Sequence, residues 1–134
     1  MRGLVFALAV GLLALAFWGF GRRRRRLNDA ASSRDSARAA AAYIAAFGDI
    51  SGPVPAGVRS LLQRLLPGDA FPVLPEDDLW ALYDLDQGTL EARVEEYFSE
   101  NGRRWVPPSA TSLPRTVADL VRMVAPLFSA APEL

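Results

Sequence analysis

The sequence contains no cysteine, no histidine and no lysine among its 134 residues. Without cysteine the chain has no disulfide, no thiolate zinc site and no cysteine nucleophile. Without histidine it lacks the commonest metal ligand of proteins and the commonest general base at neutral pH. All 15 basic residues are arginine. Any enzyme built on this chain has to work with carboxylates, tyrosine, serine or threonine.

The net charge of zero hides a strong segregation of charge along the chain. Residues 1–27 hold six arginines and no acid, whereas residues 28–134 hold nine arginines against all 15 acids. Residues 69–100 alone carry ten acids and a single arginine, Arg93. Because an acidic body repels nucleic acid phosphates, this distribution argues against a partner that is DNA or RNA.

Residues 3–20 form an uncharged stretch of 18 residues that ends at a block of five arginines. As a helix this stretch is about 27 Å long, close to the thickness of the hydrocarbon core of a bilayer. Aromatic side chains at the end of such a helix favour the headgroup zone. The pattern predicts a transmembrane helix with these interface residues: Trp18, Phe20, Arg22, Arg23, Arg24, Arg25 and Arg26.

The arginine block also predicts the orientation of that helix, because positive residues beside a spanning segment stay in the cytoplasm. We therefore expect a bacterial inner (cytoplasmic) membrane protein with its N-terminus outside and its C-terminal domain cytoplasmic. The arginines would contact anionic lipids. Gly3, Ala7 and Gly11 are spaced four apart, which favours close packing against the helix of an integral membrane protein partner.

Three other interpretations of the first 27 residues stay open at this point. Ala14-Leu15-Ala16 resembles the cleavage site of a secretory signal peptide. The arginine block by itself is typical of a nuclear-localisation or nucleic-acid patch. The apolar stretch is also compatible with a buried core helix.

Apolar stripes at helical spacing predict that the rest of the chain is helical, and no segment alternates as a strand. The stripes predicted for the last three long helices are Val58, Leu61, Leu62 and Leu65; Leu90, Val94, Tyr97 and Phe98; and Val117, Leu120, Val121 and Val124. The predicted helices cover 28–47, 56–66, 75–85, 89–101 and a segment that begins near Thr116 and ends at Pro126. The predicted N-caps are Asn28, Ser32 or Ser33 for the first of these, Thr89 for the fourth and a Thr116–Asp119 capping box for the last.

The fold class predicted is therefore all-α, with a single N-terminal transmembrane helix followed by a small cytoplasmic bundle of four to five short helices. The chain divides into four parts by composition. These are an anchor with its arginine collar (1–27), a juxtamembrane helix (28–48), a Pro- and Gly-rich linker (49–55) and an acidic helical domain (56–134).

Motifs that carry chemistry are lacking in the sequence, which has no Gly-rich phosphate loop and no nucleophile elbow. Asp77-Asp78 and Glu95-Glu96 are adjacent pairs, which point in different directions on a helix, and we interpret them as solvated helix faces. Trp105 is interpreted as a core residue with an arginine stacked on it. We expect no enzyme activity, no cofactor and no metal site.

The segment DLDQGTLE at 84–91 resembles the acyl carrier protein signature D-L-G-x-D-S-L-D. The helix at 56–66 and TVADLVRMV at 116–124 lie where the first and last carrier helices would be. The resemblance covers residues 55–126 and implies a four-helix carrier-like fold. Thr89 stands where the family has its phosphopantetheine-bearing serine, and Gly88 replaces the preceding aspartate. The resemblance therefore implies a degenerate carrier without its prosthetic group.

Two functions follow as expectations. The first is an accessory or assembly subunit of a larger membrane complex, for example a respiratory or photosynthetic one, which acts by protein–protein and lipid contacts. The alternative is a membrane-tethered, degenerate acyl-carrier-like module.

Overall fold

The computed structural model describes the backbone of residues 2–65, 71–108 and 112–134, and their side chains except those of 2–4 and 16–24. Over these residues the protein is all-α, with isolated β-bridges and no strand. The helices are α1 (Arg2–Ser33), α2 (Ser36–Ala46), α3 (Val54–Gln63), α4 (Gln87–Glu100) and α5 (Val117–Ala130). The all-α prediction is confirmed, and the described residues after α1 hold four short helices.

The chain divides into two compact units, Met1–Ser33 and Arg34–Leu134. The first unit is helix α1, which continues without interruption through the arginine block to Ser33. The second unit contains α2 to α5 together with the long connections between α3 and α4 and between α4 and α5.

The predicted membrane localisation is wrong. Within the described part of the chain, no helix is both long enough and apolar enough to cross a bilayer. This finding overturns the prediction of a bacterial inner-membrane protein whose N-terminus lies outside and whose C-terminal domain is cytoplasmic.

The single helix predicted over 28–47 is two helices in the structure. Residues 28–33 belong to α1, the chain leaves the helical conformation at Arg34, and α2 starts at Ser36. The N-cap is Asp35, whose side chain accepts the backbone N–H of Arg38 at 3.0 Å, so the predicted caps at Asn28, Ser32 and Ser33 are wrong. On α2 the buried side chains are Ala39 and Tyr43.

Helices α3, α4 and α5 supply most of the core of the second unit, and α3 packs against both of the others. Their apolar stripes fall on the predicted faces and include Tyr97 as a partly exposed member. The Phe98 ring meets the rings of Trp105 and Phe128 edge to face, with centroids 5.0 and 5.2 Å apart. The buried side chains are Val54, Val58, Leu61 and Leu62 on α3, Leu90, Val94 and Phe98 on α4, and Val117, Leu120, Val121, Val124 and Phe128 on α5.

The ends of α5 show one prediction confirmed and one corrected. Thr116 and Asp119 form the predicted capping box, in which each side chain accepts the backbone N–H of the other residue. Pro126 lies inside the helix, which continues to Ala130. The proline removes one helical hydrogen bond, but it is exposed, so water can satisfy the freed carbonyl. Burial of Phe128 on the following turn favours continuation of the helix.

Residues 75–85 were predicted to be a short helix and are instead a series of turns. The Asp78 carboxylate accepts the backbone N–H groups of Trp80 and Ala81 at 2.8 Å each. The backbone of this segment also bonds to the start of α5, because Val117 N–H donates to the Asp77 carbonyl and Leu79 N–H to the Arg115 carbonyl. These bonds replace the i to i−4 ladder of a helix, and Leu79 and Tyr83 are still fully buried.

Candidate functional sites

The apolar part of α1 is a continuous exposed surface. Seven large apolar side chains on it are each 49% to 72% exposed, and the small residues between them, Ala7, Ala9, Gly11 and Ala14, are exposed as well. Gly11 has no side-chain or backbone neighbour within 4 Å of the position that a Cβ would take. We call this the α1 apolar surface, and it consists of Val5, Phe6, Leu8, Val10, Leu12, Leu13 and Leu15.

The site residues predicted from the sequence on α1 are only partly described. Ala7 and Gly11 are exposed, as are Arg25 and Arg26. The side chains of Trp18, Phe20, Arg22, Arg23 and Arg24, together with residue Gly3, lie outside the described side chains. The roles predicted for these residues, helix packing and contact with lipid headgroups, stay predictions.

A buried polar cluster around Asp77 was not foreseen from the sequence. Arg34 donates to both carboxylate oxygens of Asp77, at 2.8 and 2.6 Å. The same carboxylate accepts the hydroxyl of Tyr83 and the backbone N–H of Leu74, each at 2.9 Å. The Asp77 side chain is only 3% exposed and that of Arg34 19%. The interpretation of Asp77 as a solvated acid is therefore wrong.

Electrostatics explains why this cluster holds its charges. Burial by itself would lower the pKa of Arg34, but the hydrogen bonds and charge of Asp77 outweigh that effect and raise it. Burial, followed by the negative charge of Asp77, raises the pKa of Tyr83 well above its ordinary value. The arginine is thus held in its charged form and the phenol in its neutral, hydrogen-donating form. This arrangement leaves every oxygen of Asp77 with a donor and is typical of a structural cluster.

A groove of about 400 Å³ lies between α3 and α4. Its charged lining residues are paired, with Arg64 on Glu100 and Arg93 on Glu96, each at 3.2 Å. Tyr97 borders the groove and packs so closely on Gly57 that a Cβ at position 57 would collide with the tyrosine ring. Because these cations and acids satisfy one another, the groove presents no unmatched charge to a ligand from these residues.

Thr89 lies in the first turn of α4, where the residue is exposed to solvent. It is not the N-cap that was predicted; Asp86 is the N-cap, and its carboxylate accepts the Thr89 backbone N–H at 2.7 Å. That hydrogen bond, and after it the hydrogen bond from the Thr89 hydroxyl, lowers the pKa of Asp86. A second cavity of about 210 Å³ is lined by neighbours of Thr89 in the sequence, Leu90 and Glu91, and by Trp105.

Trp105 and its neighbouring arginine take separate positions. Trp105 packs on Phe98, whereas Arg103 stacks on Phe128 with its Cζ 4.6 Å from the ring centroid. Arg103 also donates to the Phe128 carbonyl at 3.0 Å. The prediction of a packed tryptophan is therefore supported, but the cation lies on a different ring.

In the described part of the chain, no three acidic side chains come together in a way that could hold a metal ion. The described acids between Glu76 and Glu100 are dispersed by their helix and turn positions. No known protein family, curated protein or solved structure matches the chain.

Proposed function

We propose that this chain is a binding protein, an accessory or assembly subunit that acts through protein–protein contacts and performs no catalysis of its own. The observation that carries the proposal is the α1 apolar surface, which is exposed on all sides over residues 5–15. Helices that are apolar all round are normally covered by other apolar groups. Exposed apolar patches of this kind mark interaction sites in proteins.

The partner implied by this surface is a protein with an apolar groove that accepts a helix. Five arginines follow the apolar part of α1 in the sequence. A groove with acidic side chains at one end would match that charge, and such complementarity fixes the direction in which the helix enters. The predicted partner surface is therefore apolar along its length and acidic at the end that meets residues 22–26.

Site-specific photo-cross-linking tests this proposal directly. A photoreactive amino acid is placed at Leu8 or at Leu12 in the full-length protein, and matched controls carry it at the exposed positions Ala42 and Arg93. We expect one discrete protein adduct from the two α1 positions and none from the controls. Adduct formation should fall as salt is raised, because the arginines contribute through screened charge interactions. Equal adducts from all four positions, or none from Leu8 and Leu12, would contradict the proposal.

A degenerate acyl-carrier-like module is a second candidate, and the position of Thr89 favours it. An exposed threonine in the first turn of a helix, three residues after an acidic N-cap, matches the resemblance at 84–91. In this alternative the chain keeps the shape of a carrier for recognition by other proteins. It carries no phosphopantetheine because threonine has replaced serine.

Intact mass measurement separates the two candidates. The protein and its Thr89→Ser variant are incubated with a broad-specificity phosphopantetheinyl transferase and coenzyme A. The carrier-like candidate predicts an unchanged mass for the natural protein and a phosphopantetheine adduct on Thr89→Ser, with Ser99 as an internal control that stays unmodified. An unmodified Thr89→Ser variant would leave the carrier candidate without support.

A further inference from the structure

We infer that the Arg34–Asp77 ion pair is a conformational latch that keeps α1 and α2 separate helices. The chain leaves α1 and enters α2 through residues 34 and 35. The latch is independent of the proposed function, since it concerns how the chain between the two helices is held and assigns no partner.

The local sequence gives mixed signals at this point. Residues 27–47 contain neither proline nor glycine, and Ala-rich sequence follows on the C-terminal side, which favours helix. Against helix stand the serines at 32, 33 and 36 and Asp35, whose carboxylate caps α2 through the N–H of Arg38. Asp and Ser at a helix interior are only mildly unfavourable. Contacts outside this segment therefore matter for what keeps the break.

Arg34 makes such contacts far along the chain. Its Nη1 donates to the Pro72 carbonyl and to Asp77, both at 2.8 Å, and its Cζ lies 5.6 Å from the centroid of the Phe71 ring. These partners are 37 to 43 residues away in the sequence. Residue 34 is thus held by the 71–77 segment, in a position set by tertiary contacts.

The helical prediction fails over two segments, 34–35 and 75–85. The first contains Arg34 and the second contains Asp77, so this one ion pair joins the two segments. Sites where local preference and observed structure disagree are where a fold stores a functional or conformational constraint. The two segments differ in how else they are held. Residues 75–79 also bond to the start of α5, whereas the described bonds that oppose helix at 34–35 are the Arg34 contacts and the Asp35 cap. Release of the pair should therefore convert only residues 34–35.

NMR spectroscopy of the full-length protein tests the latch. The variant Arg34→Met/Asp77→Asn removes both charges and leaves an amide oxygen to accept from Leu74 and Tyr83. We expect the Cα chemical shifts of residues 34 and 35 to move to helical values, and amide exchange at Ser36 and Ala37 to slow. Shifts at 75–85 should stay non-helical.

Two further variants make the test discriminating. Asp35→Ala removes the cap and leaves the ion pair, and we expect residue 34 to remain non-helical in it. Arg64→Met breaks the exposed pair with Glu100 and should change nothing at 34–35. Conversion by Asp35→Ala alone would overturn the inference, and so would unchanged shifts in a folded Arg34→Met/Asp77→Asn variant. Loss of the Phe98 and Trp105 tertiary signals in that variant would overturn it too, because the pair would then be a requirement of the fold.

Discussion

Helix α5 and the segment 75–85 are bonded to each other, yet they are built in opposite ways. The start of α5 depends on neighbours in sequence, with a capping box between two residues three positions apart and an apolar stripe that repeats along one helix. The segment 75–85 depends on side chains and carbonyls that lie far away in the sequence, with Arg34 and Arg115 as examples. The same core is therefore built from a helix that local sequence signals specify, α5, and from a segment that a buried polar cluster holds in place, 75–85.

The largest expected effect comes from removing the charge that balances Asp77. Arg34→Ala leaves a nearly fully buried carboxylate without its cation, so we expect a loss of about 3–5 kcal/mol in the free energy of unfolding. Urea denaturation followed by circular dichroism measures it. The matched control is Arg64→Ala, which breaks an exposed pair and should cost no more than about 1 kcal/mol. Equal losses in the two variants would mean that the Asp77 cluster is no more important than a surface ion pair.

The apolar side of the comparison is tested by Leu120→Ala in α5. Leu120 is fully buried, and truncation leaves a cavity, so we expect a loss of about 2–5 kcal/mol. The same denaturation experiment measures it. Unlike Arg34→Ala, this variant should leave the chemical shifts of residues 34–35 unchanged. A change at 34–35 would show that core packing, and not the polar cluster, positions that segment.

A smaller effect is expected from the local signal that starts α5. Thr116→Ala removes the N-cap hydroxyl and should cost about 1 kcal/mol. Thr89→Ala is the matched control, because Thr89 lies in the first turn of α4 but Asp86 is the cap there. We expect the control to lose clearly less in thermal unfolding. The reverse order would mean that the cap assignments of α4 and α5 are wrong.

The smallest effect is an acid-dependent loss shared by both regions. The backbone N–H of Thr116 is the main cause that lowers the pKa of Asp119 at the start of α5. The backbone N–H of Ala81 is the main cause that lowers the pKa of Asp78 in segment 75–85. Because both folded values lie below the unfolded aspartate value of about 3.9, these groups stabilise the fold fully above that pH. Their contribution is lost as pH falls through the lowered folded values.

Asp119→Asn isolates one half of this acid effect. At neutral pH the midpoint temperature of thermal unfolding should be lower for the variant than for the natural protein. The difference between the two midpoints should shrink below about pH 4. A difference that stays constant with pH would mean that the charge of Asp119 plays no part.

The helices that could be predicted are those whose signals are local. The stripes of α3, α4 and α5 lie on the predicted faces, and the Thr116–Asp119 capping box was readable from two residues three apart. Prediction failed at Arg34 and at 75–85 because the decisive partners are tens of residues away. The end of α5 was placed too early because burial of Phe128 outweighs the cost of Pro126.

The candidate sites were predictable to a similar degree. The apolar stretch of α1 was visible as a run of uncharged residues, but its assignment to a membrane was wrong for the described part of the chain. The sequence around Asp77 does contain one indication that this residue is buried. Asp77 stands in a segment with many apolar neighbours, FPVLPEDDLWALY, where an acid is buried only if a cation reaches it. Which cation does so depends on the tertiary fold and cannot be read from spacing.

The contact between Gly57 and Tyr97 has a consequence for how this sequence can change over evolutionary time. A side chain at position 57 would occupy the space that the tyrosine ring now fills. Position 57 can therefore gain a side chain only if the partly exposed tyrosine ring moves aside or a smaller residue replaces it. Relatives of this chain with alanine at 57 should either carry a smaller residue at 97 or hold the tyrosine ring away from α3.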